Sequence, residues 1–167
     1  MILKTFEIEK IDIKKNNFFL FYGENQGLKS EIIDKKFKKN FLKKTYSYEE
    51  SEILNNKDIL LNNIFTKSFF ENEKLIIINR ATDKLKDLIE EIIDKNIEDL
   101  IIILNSNSLE KKSKIRSFFE KNKQTVCVPF YEDTNQTLLG IASKFFRENK
   151  VPISQQAMNL IIERCRG

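Results

Sequence analysis

The stretch of this chain best suited to chemistry is Gly23-Glu24-Asn25-Gln26-Gly27-Leu28-Lys29-Ser30. A phosphate-binding loop of the G-x-x-x-x-G-K-[ST] kind needs glycines at both ends of a turn, a lysine for the β- and γ-phosphates and a hydroxyl for magnesium. Gly23, Lys29 and Ser30 stand in that register, but Leu28 occupies the second glycine position. Glycine there lets backbone N–H groups close around phosphate and takes dihedrals that leucine disfavours. Gly27 lies one residue early, which distorts the loop rather than restoring it, and Glu24 puts negative charge where phosphates would sit. Such loops also rely on a carboxylate at the end of an apolar strand to hold the metal ion and position water. The two candidate strand ends, Ile78-Asn79-Arg80 and Leu104-Asn105-Ser106, supply none. Competent ATP hydrolysis is not expected. Lys29 is expected to be a solvated first-turn lysine, and Asn105 to form a turn.

The rest of the composition closes other routes. With no histidine among 167 residues, there is no Ser-His-Asp or Cys-His arrangement, no imidazole ligand for zinc or iron, and no imidazole titrating near neutral pH. Cys127 and Cys165 are too few for an all-cysteine zinc site and lack CxxC spacing, so they read as two unpaired cytosolic thiols. No metal or cofactor is expected. The longest apolar runs, such as Leu100 to Leu104, fall far short of the roughly 18 residues that span a bilayer. Met1 to Lys10 alternates apolar and charged residues and lacks the apolar run of a signal peptide. A soluble, cytoplasmic protein is expected. The net charge of +4 rests on 24 Lys against 5 Arg, in a chain also rich in Ile, Asn and Phe. That joint bias matches low-GC codon usage better than selection for a polyanion, so charge argues only weakly for nucleic acid.

The turn at Gly23 needs a strand before it and a helix after it, and the hydrophobic pattern supplies both. Short apolar runs predict buried strands at Phe18 to Tyr22, Phe41 to Tyr46, Leu75 to Asn79, Leu100 to Leu104 and Thr125 to Pro129. Helical periodicity lies between them: Leu28, Ile32, Ile33 and Phe37 after the first strand, then Leu85, Leu88, Ile89, Ile92 and Ile93, then Ile115, Phe118 and Phe119. Strands apolar on both faces and separated by helices imply a parallel sheet covered on both sides, a three-layer α/β domain of about five strands. An apolar share of 41% with 14 Phe gives it a sizeable core.

Beyond Pro129 no further strand follows. Thr134 can cap a helix burying Leu138, Leu139, Ala142, Phe145 and Phe146, and Ser154 a second one through Ala157, Leu160 and Ile161. Residues 1–132 thus read as the α/β domain and 133–167 as the first helices of another, unfinished one, as in a piece of a longer protein.

Taken in order, these segments resemble the delta subunit family of the bacterial DNA polymerase III clamp loader. The resemblance rests on the decayed turn after the first strand and on Ser68-Phe69-Phe70 followed by Glu71-Asn72-Glu73-Lys74 and the strand from Leu75. It continues through Ile102 to Leu104 with Lys111, Lys112 and Ser113, then Val126 to Pro129 and the Val151-Pro152-Ile153-Ser154 turn. It implies an AAA+-like, P-loop NTPase-type domain that does not hydrolyse ATP, followed by a helical lid. It also implies a non-catalytic function: binding the ring-shaped sliding clamp (the beta subunit), together with the other loader subunits, and helping to open it for loading on primed DNA. The family's clamp-binding hydrophobic pair corresponds to Phe69 and Phe70, after Ser68; the first of the pair is Phe here where Leu is usual. Gly23, Gly27, Lys29 and Ser30 correspond to a degenerate P-loop, and Asn105 to the place where active AAA+ enzymes keep a phosphate-sensing residue.

The residues themselves leave two readings of Ser68 to Lys74. Adjacent side chains on a helix point about 100° apart, so Phe69 and Phe70 do not both enter one core, and an exposed aromatic anchors in a partner's pocket. Alternatively Ile64, Phe65 and Phe69 form a core stripe and Phe70 covers the sheet edge. The Phe18-Phe19, Phe118-Phe119 and Phe145-Phe146 pairs read as core. The lysine-rich stretches 35–44 and 111–123 read as solvated faces, with DNA approached only through an assembled loader. A divergent P-loop ATPase or kinase is the competing function, and it requires nucleotide binding that depends on Lys29.

Overall fold

The computed structural model of the chain describes residues 1–11, 13, 15–40, 45–65, 74–97 and 99–164. It forms two compact units, Met1–Tyr131 and Glu132–Gly167. In the first, β1 (Phe18–Tyr22), β2 (Thr45–Glu49), β3 (Lys74–Asn79), β4 (Leu100–Ser106) and β5 (Thr125–Pro129) make one parallel sheet in the order β2-β3-β4-β1-β5. The register sets Tyr22 beside Ser106 on one side and Pro129 on the other, and Asn79 beside Asn105. Central β1 is buried along its whole length, so consecutive side chains feed opposite cores.

On one face Phe18, Leu20, Ile76, Ile78, Ile102 and Leu104 pack under α2 (Glu50–Asn55), α3 (Lys57–Phe65), α4 (Lys86–Asp94) and α5 (Lys114–Lys121). The periodic Leu85 to Ile93 face accounts for α4: Leu88, Ile89, Ile92 and Ile93 are buried, while Asp87, Glu91 and Asp94 face water or surface lysines. Each such side chain contributes about 1.5–3 kcal/mol by leaving water. On the other face Phe19, Phe21, Ile77, Ile103, Val126 and Val128 meet Ile8, Ile33 and Phe37. Phe19, Phe21 and Phe37 are in edge-to-face contact, with centroids 4.9–6.1 Å apart. Ile33 and Phe37 lie where α1 (Gln26–Ile32) loosens into a π-helical turn over Ile33–Phe37.

Several expectations shift. β2 begins within the predicted Phe41–Tyr46 run but continues to Glu49, and residues 41–44 lie outside those described. It alternates, with Thr45 and Ser47 exposed and Tyr46 and Tyr48 against the core, because a strand at the end of the sheet order has one covered face. The β4 strand extends two residues beyond the apolar run, so Asn105 is a strand residue and not a turn former. Phe118 is only half-buried, while Phe119 is fully buried, since neighbours on a helix cannot share one core direction.

The second unit holds α6 (Asn135–Glu148) and α7 (Gln155–Arg164). Thr134 caps α6, its hydroxyl oxygen accepting from the Thr137 N–H at 3.2 Å, and Ser154 caps α7 by accepting from the Ala157 N–H at 3.2 Å. The expected buried face of α6 is absent: no side chain of that helix is buried, and Leu139 and Phe145 are exposed. In α7 the buried residues are Met158 and Ile162, four apart, while Leu160 is exposed.

Candidate functional site

The turn between β1 and α1 is built by a glycine and a lysine. Gly23 has φ +128°, and a Cβ added there would lie 2.0 Å from the Phe130 carbonyl oxygen, so only glycine lets the chain pass so near the end of β5. Backbone N–H groups of the turn are spent on the protein: Gly23 donates to Asn107 O at 3.2 Å and Asn25 to Phe130 O at 3.3 Å. Asn25 caps α1, its side-chain oxygen accepting from the Leu28 N–H at 3.0 Å. The Gln26 amide reaches across to Asn107 Oδ1 at 3.0 Å.

Lys29 is not solvated. It is 0% exposed, and its Nζ donates to the carbonyl oxygens of Gly23 at 3.0 Å and Ser106 at 2.6 Å. Spacing explains this: six residues after Gly23, in the first turn of α1, the side chain points back over the ends of β1 and β4. Burial pushes the ammonium pKa below its ordinary value, against the opposing pull of Glu24. Glu24, Gln26, Gly27 and Ser30 are exposed. A Cβ on Gly27 would meet only the Asn25 side chain, at 3.8 Å, so no close backbone approach depends on that glycine.

Asn79 and Asn105 sit side by side at the C-terminal edge of the sheet. The Asn105 amide donates to Asn79 Oδ1, and the Asn79 amide to Ser47 Oγ, each at 3.1 Å. The Asn105 Oδ1 atom is buried and accepts no hydrogen bond from the described residues. The buried carboxylate at this edge, which sequence reasoning missed, is Glu50, where β2 turns into α2. Its two oxygens accept the N–H and hydroxyl of Thr82, three residues past the end of β3, so it ties the start of α2 to the segment that leaves β3. Nothing in the sequence distinguishes Glu50 from its neighbours Glu49 and Glu52; only the position of β2 does. Among the described residues no three His, Cys, Asp or Glu side chains gather as a metal site.

Ser68, Phe69 and Phe70 lie outside the described residues. The helix before them, α3, buries Leu60 and Ile64. Phe65 is 45% exposed, beneath the Lys95 ammonium at 4.7 Å, so the core stripe read through Ile64, Phe65 and Phe69 fails at Phe65, which points about 100° away from Ile64. Ile59, on the same helix, is also exposed.

A five-stranded parallel sheet of order 2-3-4-1-5, covered by helices on both faces and carrying a glycine–lysine turn after β1, defines a three-layer α/β domain. The model of the family described as DNA polymerase III, delta subunit, matches residues 19–130, and the chain belongs to that family. Among solved structures, the Bacillus subtilis DNA clamp loader delta protein (YqeN) is similar in fold, with TM-score 0.62 and 14% identity over 94% of this chain and 51% of that one. This chain therefore spans about half the length of that relative. Comparison with curated proteins yields no match. No helix among the described residues is long and apolar enough to cross a membrane.

Proposed function

We propose that this chain is the clamp-binding part of a clamp-loader delta subunit, acting mechanically and not as an ATPase. The observation that carries the reading is the family match over residues 19–130. The decayed turn, in which Lys29 is spent on two backbone carbonyls, supports the non-catalytic part. Phe69 and Phe70, introduced by Ser68, enter a hydrophobic pocket on the sliding clamp. They favour an opened ring because they bind it better than the closed one. Other loader subunits assemble with the protein and supply the ATP-driven step, and DNA is met through the assembled loader.

Clamp binding by this chain tests the proposal. Truncating an aromatic anchor typically costs about 2–4 kcal/mol, or roughly 30- to 1,000-fold in affinity. Phe69→Ala and Phe70→Ala should each weaken clamp binding on that scale while thermal stability holds. Clamp affinity surviving both changes sinks the reading. The competing function, a divergent nucleotide-binding enzyme, is favoured by the register of Gly23, Lys29 and Ser30. It predicts micromolar-range ATP affinity that disappears with Lys29→Ala.

A further inference from the structure

The strands β1 and β4 are paired up to Tyr22 and Ser106, keep one further backbone bond from the Gly23 N–H to Asn107 O, and then separate. Where paired strands part, their last carbonyls lose ladder partners, and a buried carbonyl without a donor is costly. In sheets of this topology that fork is where ligands bind, and the anion of a bound nucleotide commonly orders the turn. Here the fork contains the Lys29 ammonium, fully buried, with the carbonyls of Gly23 and Ser106 as its acceptors. Lys29 forms no salt bridge with any described residue; Glu24, which is exposed, acts on it as a charge without an ion-pair contact. An ammonium is buried without an anion only where its hydrogen bonds offset the loss of hydration.

We infer that Lys29 is the built-in occupant of this fork, an internal staple that joins β1, α1 and β4 and orders the Gly23–Lys29 turn without any nucleotide. Three further contacts make the closed turn self-consistent. Gly23 N–H is bonded to Asn107 O, Asn25 N–H to Phe130 O, and the absent Gly23 side chain leaves room for Phe130. Of the donors that would greet a phosphate, the N–H groups of Gly23, Asn25, Gln26, Leu28 and Lys29 are already paired within the protein, and the lysine that would follow it is turned inward. This inference stands on the geometry of the fork and is independent of clamp binding, so either can fail alone.

Hydrogen exchange and nitrogen-15 NMR on the chain test it. In the wild type, the Lys29 ammonium protons should exchange far more slowly than those of exposed Lys112, and millimolar magnesium–ATP should leave the Gly23, Asn25 and Phe130 amides and the melting temperature unchanged. Lys29→Met keeps the side-chain length and removes the donors. It should speed exchange at those amides by roughly 30-fold or more and lower the melting temperature by roughly 5–10 °C. A Lys29 ammonium exchanging as fast as that of Lys112 overturns the inference. So does nucleotide protection of the turn, or a Lys29→Met protein with unchanged exchange. Should that variant not fold, the two wild-type measurements decide.

Discussion

Gly23 and Lys29 show how differently two residues of one motif reveal themselves. Gly23 is a backbone requirement: φ is +128°, and the atom a side chain would strike is a backbone carbonyl oxygen that cannot swing aside. Gly23→Ala should therefore destabilise the first unit by at least about 2 kcal/mol, through dihedral strain plus overpacking. Gly140, in α6, has nothing within 4 Å of an added Cβ, so Gly140→Ala should cost nothing and strengthen its helix by about 0.5–1 kcal/mol. Urea midpoints for the first and helical circular dichroism for the second check the contrast; equal effects would refute it. The glycine was legible in the sequence because a strand-to-helix turn demands one. The fate of Lys29 was not, because its partners are the backbone carbonyls of Gly23 and of Ser106, the latter 77 positions away and contributing no side chain to the bond. Asn105 was misread for a related reason. Its amide is held in the strand by Asn79 on the neighbouring strand, a pairing that register alone decides.

The same division holds for elements. Four strands and the helix α4 were readable because burial on both faces, or on one stripe, leaves a periodic mark. The edge strand β2 was misplaced because its exposed face weakens that mark. Contacts between elements distant in the sequence leave none at all, and Asp83 is the clearest case. It sits in a tight turn before α4, yet its carboxylate accepts from the Ser113 hydroxyl at 2.6 Å and the Ile115 N–H at 3.0 Å, at the start of α5. One acid thereby ties two helix beginnings together, reinforcing the cap from Ser113 itself. Burial raises the Asp83 pKa. The hydrogen bonds from Ser113, Ile115 and Lys114 and the Lys114 charge outweigh it and hold the carboxyl below its ordinary value. A depressed carboxylate contributes stability that is full above the unfolded value of about 3.9 and is lost as pH falls through the lower folded value. Asp83→Asn should weaken the protein at neutral pH and flatten the decline in urea midpoint between about pH 5 and pH 2. A variant with the wild-type acid slope would remove Asp83 from that role.

At the scale of the molecule, stability is concentrated in one unit. Every buried residue of the two large cores falls between Ile8 and Phe130. The Glu132–Gly167 unit buries Met158 and Ile162 among its described residues and leaves Ile141, Phe145, Val151 and Leu160 exposed. Capping boxes start helices but do not hold them: a short isolated helix is marginal in water, and most helical stability comes from packing an apolar face. Free energies of local opening should therefore differ sharply along the chain. Amides of β1, β3 and β4 should exchange only with global unfolding, while those of α6 and α7 should open for less than about 2 kcal/mol. Thermal scans should show a cooperative loss of the sheet accompanied by a gradual, earlier loss of helical signal. Amides in α6 and α7 protected as strongly as those of β4 would contradict this account. They would mean that helices burying almost no side chain are held as firmly as strands that bury nearly all of theirs.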